Sequence, residues 1–364
     1  MRRPFEDIFE DQTKLGTKVQ TDEYHESGAH IIVDQGQEQI AGYTDREEGI
    51  FYAVPAIIFG DHTRIIKYVD EPFFLGADGV KVLRCKLPGA NYRYLYYALR
   101  HAKIPNTGYN RHFKWLREVQ IPYPDAKQQE KIVTVLDGVS RIIAARQRQL
   151  RALDTLIKAR FVEMFGDVIQ NTMEWPRYVF SDIATSRLGK MLDAKQQTGQ
   201  CRFPYLANFN VQWFRFDLGN LNEMDFNKDD QIEFELRDGD LIVCEGGEIG
   251  RCAVWHNEIQ PCYFQKALHR VRCNTGIVSP DYLARWFQYN CEHGGFAAIE
   301  GAKATIAHLP GAKLKALQVV VPPIQLQEQF ASFVSQVDKS KVVVQAALDK
   351  VQVLFDSLMQ DYFG

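Results

Sequence analysis

An internal repeat with an offset of 198 residues constrains the fold of this chain more than any other feature. Residues 119–166 recur, without a gap, as residues 317–364. Each copy opens with a proline-rich segment and continues as a long apolar-periodic run without further proline. The matched positions include Gln129 and Gln327, Glu130 and Glu328, Leu150 and Leu348, Leu153 and Val351, Phe165 and Phe363, and Gly166 and Gly364. The chain is therefore predicted to consist of two similar halves.

A globular segment precedes each copy of this repeat and begins in a similar way. Phe5, Asp7, Ile8, Leu15 and Gly16 are matched by Phe180, Asp182, Ile183, Leu188 and Gly189, and residues 82–85 are matched by residues 270–273. The common order, a globular segment followed by a helix, predicts four parts. Residues 1–120 and 167–320 are the globular parts, and residues 121–166 and 321–364 are the helical parts.

Composition indicates an ordinary soluble protein. The 364 residues, 46% of them hydrophobic, suffice for two separate cores, and no apolar run is long enough to span a membrane. The charged N-terminus does not resemble a signal peptide, so we expect a cytoplasmic protein. Seven cysteines without a CxxC pair argue against a disulfide framework. Cys252, His256 and Cys262 have irregular spacing for a metal site, so buried thiols are the favoured interpretation and no metal is expected.

Each helical part has the seven-residue periodicity of a coiled coil. In the first, Leu136, Ile143, Leu150, Ile157 and Met164 form one line, and in the second, Phe330, Val337, Val344, Val351 and Leu358 do so. The periodic runs predict helices at residues 127–165 and 325–363, and a helix of 39 residues is about 58 Å long. We predict that the two helices pair antiparallel as a coiled coil with pseudo-twofold symmetry. Arg146, Arg160 and Lys341 interrupt the seams and would help to set the register. Alternatively, part of this face docks helices of another protein.

The globular parts are predicted to be mixed and rich in β-structure, which gives an α+β fold. Short apolar strands between turn signals occur in both halves. They are expected at residues 49–59, 64–69, 79–84, 240–244, 251–255 and 267–273, with short helices at residues 92–101 and 280–291. The two parts match poorly away from their borders, which suggests one scaffold with two specificities.

Several motifs resemble the specificity subunits of type I restriction-modification systems, and the resemblance covers the whole length. The motifs are GYT…VPAIIFGDHTRIIKYVD…FFLGADGVKVL (residues 42–83), LGKMLDAK (188–195), PYLANFNVQW (204–213), GDLIVCEGGEIGRCAVW (239–255), FQKALHRVR (264–272), and the helix starts IPYP…QQEKI and VPP…LQEQF. This family has two target recognition domains, each followed by a long helix.

The resemblance implies that each target recognition domain reads one half of a bipartite site in double-stranded DNA, while the helices fix the unread gap. It implies two modification (methyltransferase) subunits and the restriction (helicase-nuclease) subunits as partners, with S-adenosylmethionine, ATP and magnesium bound by those partners and not by this chain. A net charge of −3, from 43 basic and 46 acidic residues, argues against a self-sufficient DNA binder. Partners that enclose the duplex would supply much of the phosphate contact.

Candidate DNA contacts are polar or basic side chains in loops, often beside glycine or an aromatic residue. Arginine and lysine pair with guanine edges, and asparagine and glutamine pair with adenine. Glycine-led turns without ligand contact are the alternative for several of them. The candidates are His62, Arg64, Lys67, Lys81, Tyr109, Asn110, Arg111, Lys114, Lys190, Lys195, Asn208, Asn210, Gln212, Arg251, Gln265, Lys266, Lys303, Thr305 and His308.

Motifs of several enzyme classes are missing from the sequence. It contains no NPPF-like or DPPY-like tetrapeptide, no FxGxG loop and no Walker A sequence. Asp238, Asp240 and Glu245 are better explained as a hairpin entry than as a nuclease centre. We therefore expect a non-catalytic subunit. The alternatives are a self-contained DNA-modifying or DNA-cleaving enzyme with an unrecognised site, and a coiled-coil scaffold that binds no DNA.

Overall fold

Two units, each with its own cores, make up this protein in a computed structural model that describes residues 1–76, 78–193, 197–297 and 308–364. Unit 1 comprises Met1–Gln149 and Val344–Gly364, and unit 2 comprises Leu150–Val343. The long helices α4 (Ala126–Phe165) and α9 (Ile324–Phe363) each begin in one unit and end in the other. The four-part division by sequence therefore describes the order of elements along the chain, whereas the packing groups each globular part with a section of both helices.

The described residues of unit 1 form three sheets. Its strands are β1 (Arg2–Pro4), β2 (Phe9–Asp11), β3 (His30–Val33), β4 (Gly42–Thr44), β5 (Ala56–Gly60), β6 (Ile66–Val69), β7 (Phe73–Leu75), β8 (Val80–Cys85) and β9 (Gln120–Pro122). Its short helices are α1 (Phe5–Ile8), α2 (Tyr92–His101) and α3 (Phe113–Leu116). The sheets have the orders β2-β8-β5-β6, β4-β3-β7 and β1-β9, and β3 runs parallel to β7.

Alternating burial explains how the central sheet of unit 1 is held. Ile57 and Phe59 of β5 join the core that includes α2, while Ile58 joins a second core with Val33 and Leu75. Successive side chains of a strand point to opposite faces, so β5 is buried on both sides. Asn91 caps α2 by accepting a hydrogen bond from the Tyr94 amide at 3.0 Å.

Unit 2 repeats this architecture. Its strands are β10 (Arg177–Val179), β11 (Ala184–Leu188), β12 (Arg202–Leu206), β13 (Val211–Gln212), β14 (Arg215–Phe216), β15 (Asn222–Asp225), β16 (Leu241–Cys244), β17 (Cys252–Val254), β18 (Tyr263–Phe264), β19 (Leu268–Cys273) and β20 (Gln318–Val320). Its short helices are α5 (Phe180–Ile183), α6 (Lys228–Phe234), α7 (Pro280–Glu292) and α8 (Gly311–Lys315).

The strand order of unit 2 matches that of unit 1. Its sheets are β11-β19-β16-β17, β15-β12-β18, β10-β20 and β13-β14, and β12 runs parallel to β18. The four-stranded, three-stranded and first two-stranded sheets thus have direct counterparts in unit 1. The predicted α+β fold is confirmed, and the duplication extends through the diverged globular parts, where sequence similarity is weak.

Each long helix has a buried glutamine in its first turn. The Gln129 amide donates to the Pro124 carbonyl at 2.9 Å, and the Gln327 amide donates to the Pro322 carbonyl at 2.7 Å and the Ile277 carbonyl at 3.0 Å. Their side chains bind backbone carbonyls that lie outside the helix and its own hydrogen-bond pattern. This explains why the two glutamines occupy the same position in both copies of the repeat.

The two long helices pack against each other inside each unit, and they do so antiparallel. In unit 1 the start of α4, at Ile132 and Leu136, shares a core with the end of α9, at Met359 and Phe363. In unit 2 the end of α4 meets the start of α9, where the rings of Phe165 and Phe330 are 5.4 Å apart. The predicted antiparallel pairing is therefore confirmed within each unit.

Charged side chains on the helical seams have local partners. Lys341 of α9 forms an ion pair of 2.6 Å with Asp154 of α4, and both lie in unit 2. Arg160 pairs with Glu163 at 2.8 Å, and Arg146 donates to Gln149 at 2.8 Å. Only the Lys341–Asp154 pair of these three connects the two helices, so it is the one that can favour a particular register.

The cysteines that the sequence suggested as metal ligands lie in the interior. Cys252 and Cys262 are buried, and burial raises the pKa of the Cys262 thiol to about 12. His256 is exposed and lies 3.2 Å from Asp238. Within the described residues no group of three or more potential ligands is placed to hold a metal ion. No helix of the described part of the chain is long and apolar enough to cross a membrane.

Candidate nucleic-acid interface

Five loop segments of unit 2 converge at one edge of its central sheet. We call them loop surface 2; it comprises residues 189–190, 207–212, 245–251, 265–267 and 308. The Lys266 amide donates to the Lys190 carbonyl at 2.8 Å, and the Gln265 amide donates to the Leu206 carbonyl at 3.1 Å. His308 and Gly246 form an isolated antiparallel bridge. The loops that carry most of the predicted contacts of this half are thus brought together, although up to 118 residues separate them in the sequence.

Asn208 and Arg251 hold the centre of loop surface 2 in place. The Arg251 guanidinium donates through Nη2 to the Asn208 carbonyl at 3.1 Å and to its side-chain oxygen at 2.8 Å. The Asn208 amide nitrogen donates to the Gly246 carbonyl at 2.9 Å. Nη1 of Arg251 lies 3.7 Å from Glu248. These bonds leave Arg251 partly exposed in a defined orientation, which favours directional recognition.

Unit 1 has an equivalent arrangement, loop surface 1, formed by residues 34–35, 61–64, 78–79 and 108–113. The Gln35 side chain accepts from the His62 amide at 3.1 Å and donates to the Asp78 carbonyl at 3.1 Å. The Asp61 carboxylate accepts from the Phe113 amide at 2.8 Å. Two separate turns and the 108–113 loop are thereby joined into one surface.

An aromatic stack stands at the rim of loop surface 1. The rings of His62 and Tyr109 are nearly parallel, with centroids 4.8 Å apart and an interplanar angle of 10°. Tyr109 is 89% exposed, so nearly all of its other face is open to solvent. The adjacent Asn110 and Arg111 are exposed as well. Stacking on His62 restricts the exposed Tyr109 ring before any ligand binds, so the ring loses little entropy when it packs against a sugar or a base.

The two loop surfaces share one hydrogen-bond framework. The Asp61 amide donates to Gly79 at 2.7 Å, as Glu245 does to Ala267 at 2.9 Å. Gly60 donates to Ile65 at 2.8 Å, as Cys244 does to Arg251 at 2.8 Å. The His112 amide donates to the Asp61 backbone carbonyl at 2.8 Å, as the Leu309 amide does to the Glu245 backbone carbonyl at 2.6 Å. The backbone framework is therefore conserved between the halves, while the side chains it presents differ.

Gln35 is a site residue that the sequence reasoning missed. It follows strand β3 as Asn208 follows β12, the equivalent strand of unit 2, and each side chain braces the loops of its own unit. The available signal was an apolar run ending in an amide residue, HIIVDQ in the first half and FPYLAN in the second. Without the strand order these two segments could not be aligned.

Three predicted contacts are buried and bound within the chain. Lys67 is 3% exposed and pairs with Asp34 at 3.3 Å. Lys190 donates to the Asp225 carbonyl at 2.7 Å and pairs with Asp230 at 2.5 Å. Asn210 is 1% exposed and bonds three backbone groups. Their polar atoms are bonded within the chain and stabilise the loops.

Of the other predicted residues, those that the structure describes lie at or near the two surfaces. Lys81 pairs with Asp11 at 3.0 Å, Lys114 lies over the Trp115 ring at 4.1 Å, Asn110 donates to the Thr107 carbonyl, and Gln212 donates to the Phe209 carbonyl. Lys266 and His308 are exposed, and Gln265 is half-buried. Lys195, Lys303 and Thr305 lie outside the described residues. All nineteen remain predictions as DNA contacts.

A substitution at Gly79 tests whether Gln35 braces loop surface 1. Its φ is +88°, and a Cβ there would lie 2.6 Å from the Gln35 amide atoms. We expect Gly79→Ala to lower the free energy of unfolding by about 2 kcal/mol, from backbone strain and displacement of Gln35. Gly89→Ala is the matched control, since Gly89 has a φ of +69° and open space around it. Equal losses in urea unfolding for both variants would argue against a brace at Gln35.

A family model described as the type I restriction modification DNA specificity domain matches residues 3–154 and 173–350 of this chain. The chain belongs to this family. The matches cover both halves, each with its loop surface and most of its long helix. Family membership thus agrees with the duplication seen in the sequence and in the strand order.

Individual relatives agree with this assignment. The Type I restriction enzyme EcoR124I/EcoR124II specificity subunit of Escherichia coli is 28% identical over 155 residues, which cover 39% of this chain and 38% of that protein. The S subunit of a type I restriction-modification system from M. genitalium matches 100% of this chain and 96% of its own, with a TM-score of 0.59 and 15% identity. A chain from a structure of the type I R-M system matches 98% of this chain and 97% of its own length, with a TM-score of 0.53 and 12% identity. At these identities the structural matches establish the fold alone.

Proposed function

We propose that this chain is the DNA-reading subunit of a type I restriction-modification complex and that each unit reads one half of a bipartite site. The observation that carries this proposal is the pair of loop surfaces, which present different side chains on the same hydrogen-bond framework. Two readers built on one scaffold would recognise two different half-sites. Family membership supports DNA as the ligand.

The exposed side chains of the two surfaces have suitable chemistry for reading base edges. Loop surface 1 offers Tyr109, Asn110 and Arg111, and loop surface 2 offers Gln265 and Lys266 beside the held Arg251. Amide groups suit adenine, and guanidinium or ammonium groups suit guanine. Because the two sets differ, we propose different half-site sequences.

The long helices are proposed to set the gap between the half-sites. A continuous helix of 40 residues, the length of α4 and of α9, extends about 60 Å. This is long enough to separate two readers by a full turn of B-DNA, which is about 34 Å. The antiparallel packing within each unit supports a rigid spacer.

A matched heptad deletion tests the spacer role. Removing residues 143–149 of α4 together with residues 342–348 of α9 shortens both helices by about 10 Å and preserves the heptad phase. We expect either a shorter gap or loss of the assembled complex, with the half-site sequences unchanged. Methylation mapping measures both the gap and the sequences. A changed half-site sequence with an unchanged gap would contradict the spacer role.

The partners are proposed to supply all catalysis. Two modification subunits would bind S-adenosylmethionine and methylate adenine, and restriction subunits would bind ATP and magnesium. The absence of methyltransferase and Walker A motifs from the sequence supports this division. Turnover by the purified chain alone would instead favour a self-contained enzyme.

Methylation mapping is the decisive experiment for the proposed function. A host carrying this chain with its neighbouring modification genes should contain modified adenines in a bipartite motif with a fixed gap. A host carrying the modification genes without this chain is the control and should lack that motif. A continuous motif would refute the two-reader proposal, and no motif would favour a scaffold that binds no DNA.

A further inference from the structure

A polar cleft of about 560 Å³ lies in unit 1 between strand β6 and helix α2. We call it the β6–α2 cleft. Its polar lining consists of Gln37, Gln39, Thr63, Arg64, Lys67, Tyr96 and Arg100. It starts at the 61–64 turn of loop surface 1 and continues to the end of α2, so it is an extension of that surface rather than part of its rim.

The charge of this cleft is unbalanced. Among the described residues that line it are three cations and no carboxylate. Arg64 donates to the Ile104 carbonyl at 3.3 Å and Arg100 to the Tyr96 hydroxyl at 3.3 Å, and both of these acceptors are neutral. Only Lys67 pairs with a carboxylate, that of Asp34 outside the lining. The cleft therefore has positive charge available for an anionic ligand.

Lys67 gives the cleft a fixed cation. It is 3% exposed, and burial lowers the pKa of its ammonium group. Asp34 and the Glu38 carbonyl hold its Nζ atom, and the Glu38 carboxylate acts on it from a greater distance. A buried lysine held in this way keeps a defined position at the wall of the cleft, as a built anion site requires.

Arg64 adopts a backbone conformation that its residue type disfavours. Its φ is +62°. Arg64 comes directly before Ile65, whose carbonyl closes the hairpin of unit 1, and Gly250 comes directly before Arg251, whose carbonyl does so in unit 2. Gly250 has a φ of +78°. The turn thus requires a left-handed residue, and glycine fills that place in one half without strain. An arginine kept in a strained position beside a cationic cleft points to a role for its side chain.

The equivalent positions of unit 2 show that the positive charge is not imposed by the fold. Arg64, Lys67 and Arg100 correspond to Gly250, Ala253 and Gln288 in the shared order of strands and helices. None of these three residues carries a charge. The cationic character of these three positions is therefore a property of the first half alone.

We propose that the β6–α2 cleft binds a phosphate group. Guanidinium groups and an ammonium group bind phosphate oxygens, and the amides of Gln37 and Gln39 with the Thr63 hydroxyl supply neutral donors. The phosphate belongs either to the DNA backbone beside the half-site read by unit 1 or to a small phosphorylated molecule. The DNA source rests on the proposed function, whereas the small-molecule source does not.

Calorimetric titration of the full-length chain with pyrophosphate, at constant ionic strength, tests the site directly. Arg64→Gly removes one cation and suits the left-handed turn, so it should fold, and Arg100→Gln removes a second cation from α2. We expect each to weaken pyrophosphate binding at least tenfold. Lys14→Gln is the matched control, because Lys14 is exposed and lies outside the cleft, and it should bind like the unmodified chain. Thermal melting verifies that each variant is folded.

The salt dependence of DNA binding by the assembled methyltransferase separates the two sources. Loss of one phosphate contact should lower the slope of log K against log salt by about 1. A lower slope for Arg64→Gly and Arg100→Gln assigns the cleft to DNA, and weakened pyrophosphate binding with an unchanged slope assigns it to a small ligand. The proposal is overturned if neither variant changes either measurement or if Lys14→Gln changes them equally. Failure of the proposed function would appear separately, as no sequence preference in the unmodified complex.

Discussion

Asn208→Ala is expected to remove recognition of one half-site and leave the other intact. The substitution deletes the side-chain bonds from Asn208 to Gly246 and from Arg251 to Asn208, so the centre of loop surface 2 loses its brace. One misplaced bidentate contact costs about 1–3 kcal/mol, which corresponds to a roughly 5- to 150-fold weaker affinity for the complete site. The measurement is competition binding by the assembled complex, with duplexes in which one or the other half-site is altered.

The control for this experiment is Asn222→Ala, since Asn222 is an exposed asparagine on β15 of the same unit. It should leave both half-site preferences unchanged. The variant Asn208→Ala should still discriminate against duplexes altered in the half-site of unit 1. Equal loss of discrimination at both half-sites would contradict the assignment of one reader to each unit, and thermal melting identifies a loss caused by unfolding.

Phe330→Ala is expected to have the largest effect on stability. Phe330 is fully buried in unit 2, and its ring centroid lies 5.6 Å from that of Phe161 and 5.4 Å from that of Phe165. Truncation of a buried phenylalanine leaves a cavity and lowers the free energy of unfolding by about 3–5 kcal/mol. Urea unfolding followed by tryptophan fluorescence measures this, because four of the five tryptophans, Trp175, Trp213, Trp255 and Trp286, belong to unit 2.

Val342→Ala is the control on the same helix. Val342 is 69% exposed, so its truncation should change the free energy of unfolding by no more than about 0.5 kcal/mol. A loss below about 1 kcal/mol for Phe330→Ala would mean that α4 and α9 do not share a core in unit 2. Trp115, the single tryptophan of unit 1, distinguishes a local effect from loss of structure in the whole chain.

The helices could be predicted well because their signal is local and periodic. The predicted starts at residues 127 and 325 differ by one residue from the observed starts at Ala126 and Ile324. The predicted short helices at 92–101 and 280–291 are also present, the second with one further residue. Phe161 and Met359 were missing from the predicted seams, because these residues pack on the globular part and the other long helix together.

The roles of polar residues could not be predicted from their own segments. Lys67 and Arg64 lie three positions apart and both line the β6–α2 cleft, yet Lys67 is buried and pairs with Asp34, whereas Arg64 is half-buried and donates to a backbone carbonyl. Lys190 is buried because Asp230, 40 residues later, pairs with it. Burial and pairing of a charge depend on what the rest of the fold brings near it, and residue type alone carries no such information.

The sequence by itself determined the duplication, the two long helices, the α+β class and the family, since these depend on periodicity and on recurring motifs. Tertiary structure alone decided that the diverged globular halves share one strand order, that Gln35 and Asn208 occupy equivalent braces, and which loops meet. The physical reason is that the periodic burial of a helix or strand can be recognised from the residues of one segment, whereas a loop surface is held by hydrogen bonds between segments that are distant in the chain.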